Sequence, residues 1–384
     1  MADSGVAAIV GVGQTDLSSN SGRSTTMLLF EATQAAIADA GLIASAIDGV
    51  IPYPGGPSAE DIASVLRLPE VTFTATPHLG GASSVSALGL AKMAIETGEA
   101  TCVLAFVARN GRSESPIARR VETLPGQHLK NALEIPLGLS TPAQWYALMC
   151  RRHMFEFGTT REALGRVALT MRENAQLNPE AQMHGRRLTF EQYASSRVIA
   201  DPYLLMDCCL ESDGASAVIV MAARTMDDRP HPLALLLAVK QGHPDSPDDL
   251  SGRRDLFDTG LTRAAPRAFA AAGLRPGEID IAMIYDCFTF EVVQQLEEAG
   301  FCPRGEGGDF VLEGRIALDG GLPVNPHGGL LSAGHLAGMN HVVEAVRQLR
   351  GECGIRQVNN VAHVAVTGWG GLGDGAMAIL GTTR

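Results

Sequence analysis

One short pattern in this chain occurs twice, and it constrains the fold more than anything else in the sequence. Ala-Gly-Leu, four further residues and Ile-Asp run from Ala40 to Asp48 and again from Ala272 to Asp280. Each copy follows a helix-like stretch that a glycine ends, Thr25 to Ala40 before Gly41 and Ala268 to Ala272 before Gly273. Each also leads into an apolar strand, Gly49 to Ile51 in the first and Ile281 to Tyr285 in the second. A second pair joins Ser86–Glu99 to Met339–Glu352, a helix followed by a strand at Cys102 to Val107 and at Val361 to Val366. Both pairs come in the same order, and their spacings differ by about twenty residues, the mark of one duplicated unit with an insertion. The expectation is an α/β fold of two βαβ-rich halves.

Between the shared elements, Arg109 to Tyr203 is charged and helix-prone, with arginines at 119, 120, 151, 152, 161, 166, 172, 186 and 187, and reads as inserted. The first copy resumes at Leu205 to Met221, where the Ser212-Asp213-Gly214 turn precedes an apolar strand from Ala215. Asp227 to Pro232, with two prolines, reads as the linker. The boundaries expected are an N-terminal half over 1–108 and 204–225, an inserted loop domain over 109–203 and a C-terminal half over 226–384.

The function classes narrow on charge and composition. With 46% apolar residues and 43 glycines in 384, the chain can bury a large core and make many tight turns. A formal charge of −12 argues against a nucleic-acid partner, although an anionic ligand could bind a local basic cluster. The first residues hold no basic stretch leading into an apolar run, and no segment reaches the ~20 apolar residues that span a bilayer, so a soluble cytoplasmic protein is expected. The seven cysteines are scattered apart from the adjacent Cys208-Cys209, which points to reduced thiols rather than disulfides or a metal site. Two glycine-rich look-alikes fail as nucleotide loops. Asp16 occupies the third glycine position after Gly11-Val12-Gly13, and the Gly368 to Gly375 loop leads into a strand, Ala376 to Leu380, instead of a helix.

Several strings carry a family resemblance. Tyr285-Asp286-Cys287-Phe288-Thr289, Gly300-Phe301-Cys302, Gly305-Glu306-Gly307-Gly308, Asn325-Pro326-His327-Gly328-Gly329 running to Gly334-His335, Asp207-Cys208-Cys209 and Asp213-Gly214-Ala215 together resemble the sterol-carrier-protein-type branch of the thiolase superfamily. The resemblance spans essentially the whole chain. It implies the thiolase fold, two duplicated halves in five αβαβα layers with a helical loop domain in the first. It also implies a coenzyme A thioester as substrate with no resident cofactor, and a homodimer.

The same resemblance assigns site positions and shows what this chain lacks. A thiolase cysteine sits at a helix N-terminus, where the dipole lowers its pKa, and that position falls here on Gly81. Ser83 and Ser84 are two or three residues away, with no histidine or lysine beside them in sequence. The family's second reactive cysteine has no counterpart in Thr367 to Gly375 either. The family's GHxxG-type histidine falls on His335, where it would point at the thioester carbonyl and stabilise an enolate, a role usually worth ~2.7–4 kcal/mol.

Retro-aldolases that shorten steroid side chains also resemble this sequence, and they carry tyrosines at the positions of Tyr285 and His335; the first matches and the second departs. A phenol, with its ordinary pKa of ~10, needs nearby cations or donors to serve as a base. The bland alternative is a strand-end tyrosine packed on the core. Asp286 could orient a base or cap a turn, and Cys287 reads as a buried apolar group. His327, Gly329 and Gly371 are candidates for thioester or pantetheine contact. Arg151, Arg152 and Arg187, with Arg186, are candidates for coenzyme phosphates, against the alternative of a solvated helical face.

Three readings stay open. The first is retro-aldol cleavage of a β-hydroxyacyl-CoA, such as one bearing a steroid side chain, with a small zinc-ribbon and OB-fold partner. The second is a thiolase-type acyltransferase with an unrecognised nucleophile. The third is a non-catalytic acyl-CoA-binding scaffold.

Overall fold

The computed structural model describes residues 5–116, 130–223, 231–245, 250–371 and 373–382. Arg119, Arg120 and positions 227–230 of the expected linker lie outside the described residues. The first half runs β1 (Ala7–Gln14), α1 (Thr25–Asp39), β2 (Gly49–Pro52), α2 (Ala59–Leu66), β3 (Phe73–Thr74), α3 (Ser83–Thr97) and β4 (Cys102–Asn110). The insertion contributes α4 (Pro142–Phe157), α5 (Arg161–Gln176), α6 (Phe190–Ala194) and the hairpin β5 (Val198–Ala200) with β6 (Tyr203–Leu204). β7 (Asp213–Ala222) then completes the half. The second half is β8 (Ala234–Gly242), α7 (Gly260–Ala272), β9 (Ile281–Met283), α8 (Thr289–Glu298), α9 (Gly307–Leu312), α10 (Met339–Arg350), β10 (His363–Trp369) and β11 (Gly375–Thr382).

The duplication is visible in the sheet. Its nine strands lie in the order β3-β2-β4-β7-β1-β8-β11-β10-β9, so β2-β4-β7-β1 on one side answers β9-β10-β11-β8 on the other. The halves join where β1 and β8 pair through Ala8↔Leu235 and Ile9↔Ala234. α3 and α10 contact strands of both halves and each other, whereas α1 packs on β1, β7 and β4, and α7 on β8 and β11. Two half-sheets around a central helical layer, with a helical layer outside each, make the expected five layers.

The repeated pattern now has a physical meaning in both copies. Gly41 and Gly273 take the left-handed conformation (φ +63° and +68°), and the Leu42 and Leu274 amides donate back to Ile37 and Phe269, which closes the preceding helix. The aspartate pins the neighbouring strand. Asp48 accepts the Thr101 and Cys102 amides, and Asp280 accepts those of Ala362 and His363 at 2.7 and 2.9 Å. Gly11 and Gly13 serve packing rather than a nucleotide, because a Cβ on either would overlap the α1 main chain at Ala36 or Ala32.

Local boundaries differ from the sequence reading by a few residues. β4 continues to Asn110, which pairs with Asp213, so that β7 begins two residues before Ala215. The Asp213 carboxylate explains this, since it accepts the amides of Ser21, Arg112 and Ser113 and ties the strand ends to the loops around them. β9 stops at Met283, leaving Tyr285 in the segment beyond the strand. No described helix is long and apolar enough to cross a membrane.

Candidate active site

A cavity of about 1560 Å³ opens between the insertion and both halves. Its walls include the Gly80–Gly81 turn before α3, Cys208–Cys209 at the return of the insertion, Tyr285, His335 and the Gly370–Gly371 turn after β10. Tyr285 is fixed by its main chain: its amide donates to Thr367 Oγ1 at 3.1 Å and its carbonyl accepts Gln295 Nε2 at 2.8 Å. His335 lies in the loop between a π-helical turn, Gly329–Ala333, and α10, not in a helix. Its amide donates to Ser212 Oγ at 2.9 Å, and the flanking Gly334 and Ala337 have φ of +153° and +51°.

These anchors bring the two predicted residues together. Tyr285 Oη lies 3.0 Å from His335 Nε2, while Cys209 Sγ lies 3.7 Å from His335 Nδ1. Burial pushes the Tyr285 phenol well above its ordinary range; Tyr53 and Cys287 add to that, and the Arg109 cation opposes it only in part. At neutral pH Tyr285 is therefore a phenol. It can receive a proton on one side only while giving its own away on the other.

Gly81 lines the cavity, and the geometry shows why a side chain is missing there. A Cβ on Gly81 would overlap Tyr285 Cζ and the Trp369 carbonyl and lie 2.6 Å from Tyr285 Oη. The phenol thus occupies the space that a side chain at position 81 would need. The nearby serines have structural partners instead: Ser83 Oγ accepts the Leu79 amide at 3.0 Å and Ser84 Oγ donates to the Ala337 carbonyl at 2.6 Å.

Other predicted residues lie elsewhere. His327 is buried and does not line the cavity; its Nε2 meets His341 Nδ1 at 3.1 Å and Asn340 Nδ2 at 3.5 Å. Burial holds it well below the usual histidine range, so it stays neutral. Gly329 is conformational, because φ is +63° and a Cβ would collide with the Asp286 carboxylate. Asp286 is a buried anchor accepting the amides of Leu330 and Leu331 at 2.8 and 3.1 Å, with His341 Nε2 at 3.1 Å. It holds the π-turn that leads to His335.

The arginines are redistributed as well. Arg151 pairs with Asp201 and Arg152 with Glu156 on the outer face of α4, and Arg187 is exposed; none of the three lines the cavity. Arg172, Arg186 and Arg197 do line it. Arg172 is buried, with Nε donating to Ser332 Oγ at 3.0 Å and Nη1 to the Arg186 carbonyl at 3.1 Å. Helical spacing carried a usable signal, since α4 buries Trp145, Tyr146, Met149 and Cys150 and so turns 151 and 152 outward, whereas Arg172 follows Leu164, Ala168 and Met171 inward. Gly371 lines the cavity, and Cys287 is buried in its wall. Cys209 was legible only as part of a quoted string.

Comparison with known proteins agrees with this architecture. Residues 243–382 match the family described as thiolase C-terminal domain-like. The chain is 39% identical over 388 residues to a steroid side-chain-cleaving aldolase of Thermomonospora curvata, covering 99% of each chain. It is also 39% identical to a 17-hydroxy-3-oxo-4-pregnene-20-carboxyl-CoA lyase of Mycobacterium tuberculosis, covering 95% of this chain and 96% of that one. A solved Ltp2-ChsH2(DUF35) aldolase superposes with a TM-score of 0.91 at 38% identity, covering 99% of this chain and 98% of that one. This chain therefore belongs to the thiolase superfamily, in its sterol-carrier-protein-type branch and close to the steroid side-chain aldolases.

Proposed function

We propose that the protein is an acyl-CoA carbon–carbon lyase that cleaves the Cα–Cβ bond of a β-hydroxyacyl-CoA by a retro-aldol route. The observation that carries this reading is the Tyr285 phenol, hydrogen-bonded to His335 Nε2 and filling the space that a side chain at Gly81 would need. The β-hydroxyl proton passes to Tyr285 Oη as the phenol proton passes to His335 Nε2. The Cα–Cβ electron pair moves to Cα and the thioester enolate, and Cβ leaves as a ketone or aldehyde. The imidazolium formed beside Tyr285 offsets the charge that develops on the thioester enolate, a contribution of ~2.7–4 kcal/mol for a well-placed group. The proton then returns from His335 through Tyr285 to Cα, and no acyl-enzyme forms.

The cavity, about 1560 Å³, exceeds the roughly 300–1,000 Å³ of sites for drug-sized ligands, which suits a coenzyme arm together with a bulky acyl group such as a steroid side chain. Arg172, Arg186 and Arg197 supply the cationic lining for the coenzyme phosphates. By likeness to the aldolase complex, the chain works with a DUF35-type zinc-ribbon and OB-fold protein. The unpaired side of edge strand β3 offers a seam for a second copy of this chain. Co-purification and light scattering check both assemblies.

The test of the chemistry needs only a short thioester. Propionyl-CoA in deuterated water should gain deuterium at Cα with the wild type and lose that exchange in Tyr285→Phe and His335→Ala, as followed by mass spectrometry. A protein that binds propionyl-CoA, with its partner present, and still exchanges nothing would sink the lyase reading.

A further inference from the structure

The geometry points to Cys209 as a positioning residue for His335, and we propose that its sulfur accepts the Nδ1 proton and thereby leaves the Nε2 lone pair for Tyr285. The inference rests on the lyase reading in giving His335 the role of proton acceptor. Cys209 Sγ and Tyr285 Oη lie at 3.7 and 3.0 Å from opposite nitrogens of one imidazole. A neutral imidazole carries one proton on two nitrogens. Were it on Nε2, the Tyr285 hydroxyl would face a donor and could not hand its proton over. With the proton on Nδ1, an acceptor is needed on that side, and Cys209 stands there.

The sulfur is held on the same frame as the residues it serves. The Cys209 amide donates to the Cys287 carbonyl at 2.9 Å, and the Leu210 amide to the Leu330 carbonyl at 3.0 Å. These bonds lock residue 209 between the segment carrying Tyr285 and the turn leading to His335. Cys208 is not interchangeable with it, for its thiol lies 3.6 Å from the Leu204 carbonyl. Both protonation states of His335 suit the arrangement. On taking a second proton, the ring keeps Nδ1–H on sulfur and presents Nε2–H to the Tyr285 oxygen, ready to return it. Beyond Tyr285 and Cys209, Arg109 and Glu211 are among the charged side chains that line the same cavity, with Arg172, Arg186 and Arg197.

The test is histidine-selective NMR on the full-length chain, with the His335 signals assigned by their loss in His335→Gln. The wild type should show His335 protonated on Nδ1, and Cys209→Ala should move the tautomer toward Nε2–H. Cys209→Asp should shift the His335 titration to higher pH by about one pH unit, because a carboxylate on Nδ1 favours the imidazolium. In turnover, Cys209→Ala should lower kcat about tenfold with KM unchanged, on the scale of one neutral hydrogen bond. Cys209→Ser should restore most of that rate, and Cys209→Asp should carry the acid limb of the rate profile upward. A wild-type His335 protonated on Nε2, or a tautomer and titration unmoved in both Ala and Asp variants, would overturn the assignment. The NMR readout needs no turnover, so it stands or falls apart from the lyase reading.

Discussion

At the scale of single residues, the missing side chain at Gly81 and the presence of Tyr285 are one structural fact. Two groups cannot share the space where a Gly81 Cβ would overlap Tyr285 Cζ. Gly81→Ala should therefore displace the phenol and cut carbon–carbon cleavage by about 100-fold, the effect of misplacing a reacting group by roughly 1 Å. Gly81→Cys should meet the same overlap, and intact-mass spectrometry after acyl-CoA treatment should find no acyl adduct; an adduct would revive the acyltransferase reading. Tyr285→Phe keeps the ring in place and removes only the proton path. It should lower kcat by about 10²–10⁴ with little change in KM. In the wild type, burial keeps Tyr285 protonated above the ordinary phenol value of ~10, so the rate should show no alkaline loss at that pH. Tyr285 and His335 were legible as candidates because each sits in a recognisable string, and the structure brings them together. Cys209, Arg172 and the Asp286–His341–His327 chain were not. Their roles come from contacts such as Cys209 with His335, whose residues lie 126 positions apart in sequence.

At the scale of elements, α8 carries acids into the layer beneath the site. Glu291 accepts Tyr203 Oη at 3.0 and 3.2 Å, which anchors the insertion to the second half, and burial pushes its carboxyl up to about 8. Glu298, two turns along the same face, is pushed up to about 8 by the same cause. A folded value above the unfolded one of ~4.3 means that the native state binds the extra proton. The stabilisation is then complete below the unfolded value and is lost as pH rises toward about 8, at up to about 1.4 kcal/mol per pH unit for each group. Glu291→Gln can still accept the Tyr203 hydroxyl while removing one of these protons. Urea unfolding at pH 6, 7 and 8 should show its stability falling less steeply than the wild type by about one proton's worth, with the variant the more stable at pH 8. Identical slopes would show that Glu291 ionises in the fold as it does outside it. Nothing in the sequence of α8 announced a protonated acid, since Glu at a helix position ordinarily reads as solvated.

At the scale of the molecule, the duplication was legible because its two signals are local: a glycine closing a helix and an aspartate pinning the next strand. How the copies face each other was not, for that depends on residues without an echo in the other half. Arg350, at the end of α10 and with a side chain only 1% exposed, reaches across to α1. Its Nη1 lies 2.8 Å from Asp39 Oδ2 and its Nη2 donates to the Val10 carbonyl at 3.0 Å, while Asp39 also accepts the Val12 amide at 2.9 Å. A guanidinium that meets a carboxylate and a strand carbonyl of the other half makes the outer layer of one copy depend on the central layer of its twin. Asp39 keeps a fifth of its side chain exposed and has His231 Nε2 at 3.4 Å from its other oxygen, so losing the guanidinium costs less than in a fully buried pair, about 1–3 kcal/mol. Spread over the unfolding entropy of a chain this long, that amounts to roughly 1–4 °C. Arg350→Met should therefore lower the melting temperature by that amount while leaving one calorimetric transition, since α3 and α10 still join the halves. Two resolved transitions in the wild type, or a variant whose early transition takes only one half, would mean that the copies fold as separate units and that the cavity between them closes after each is formed.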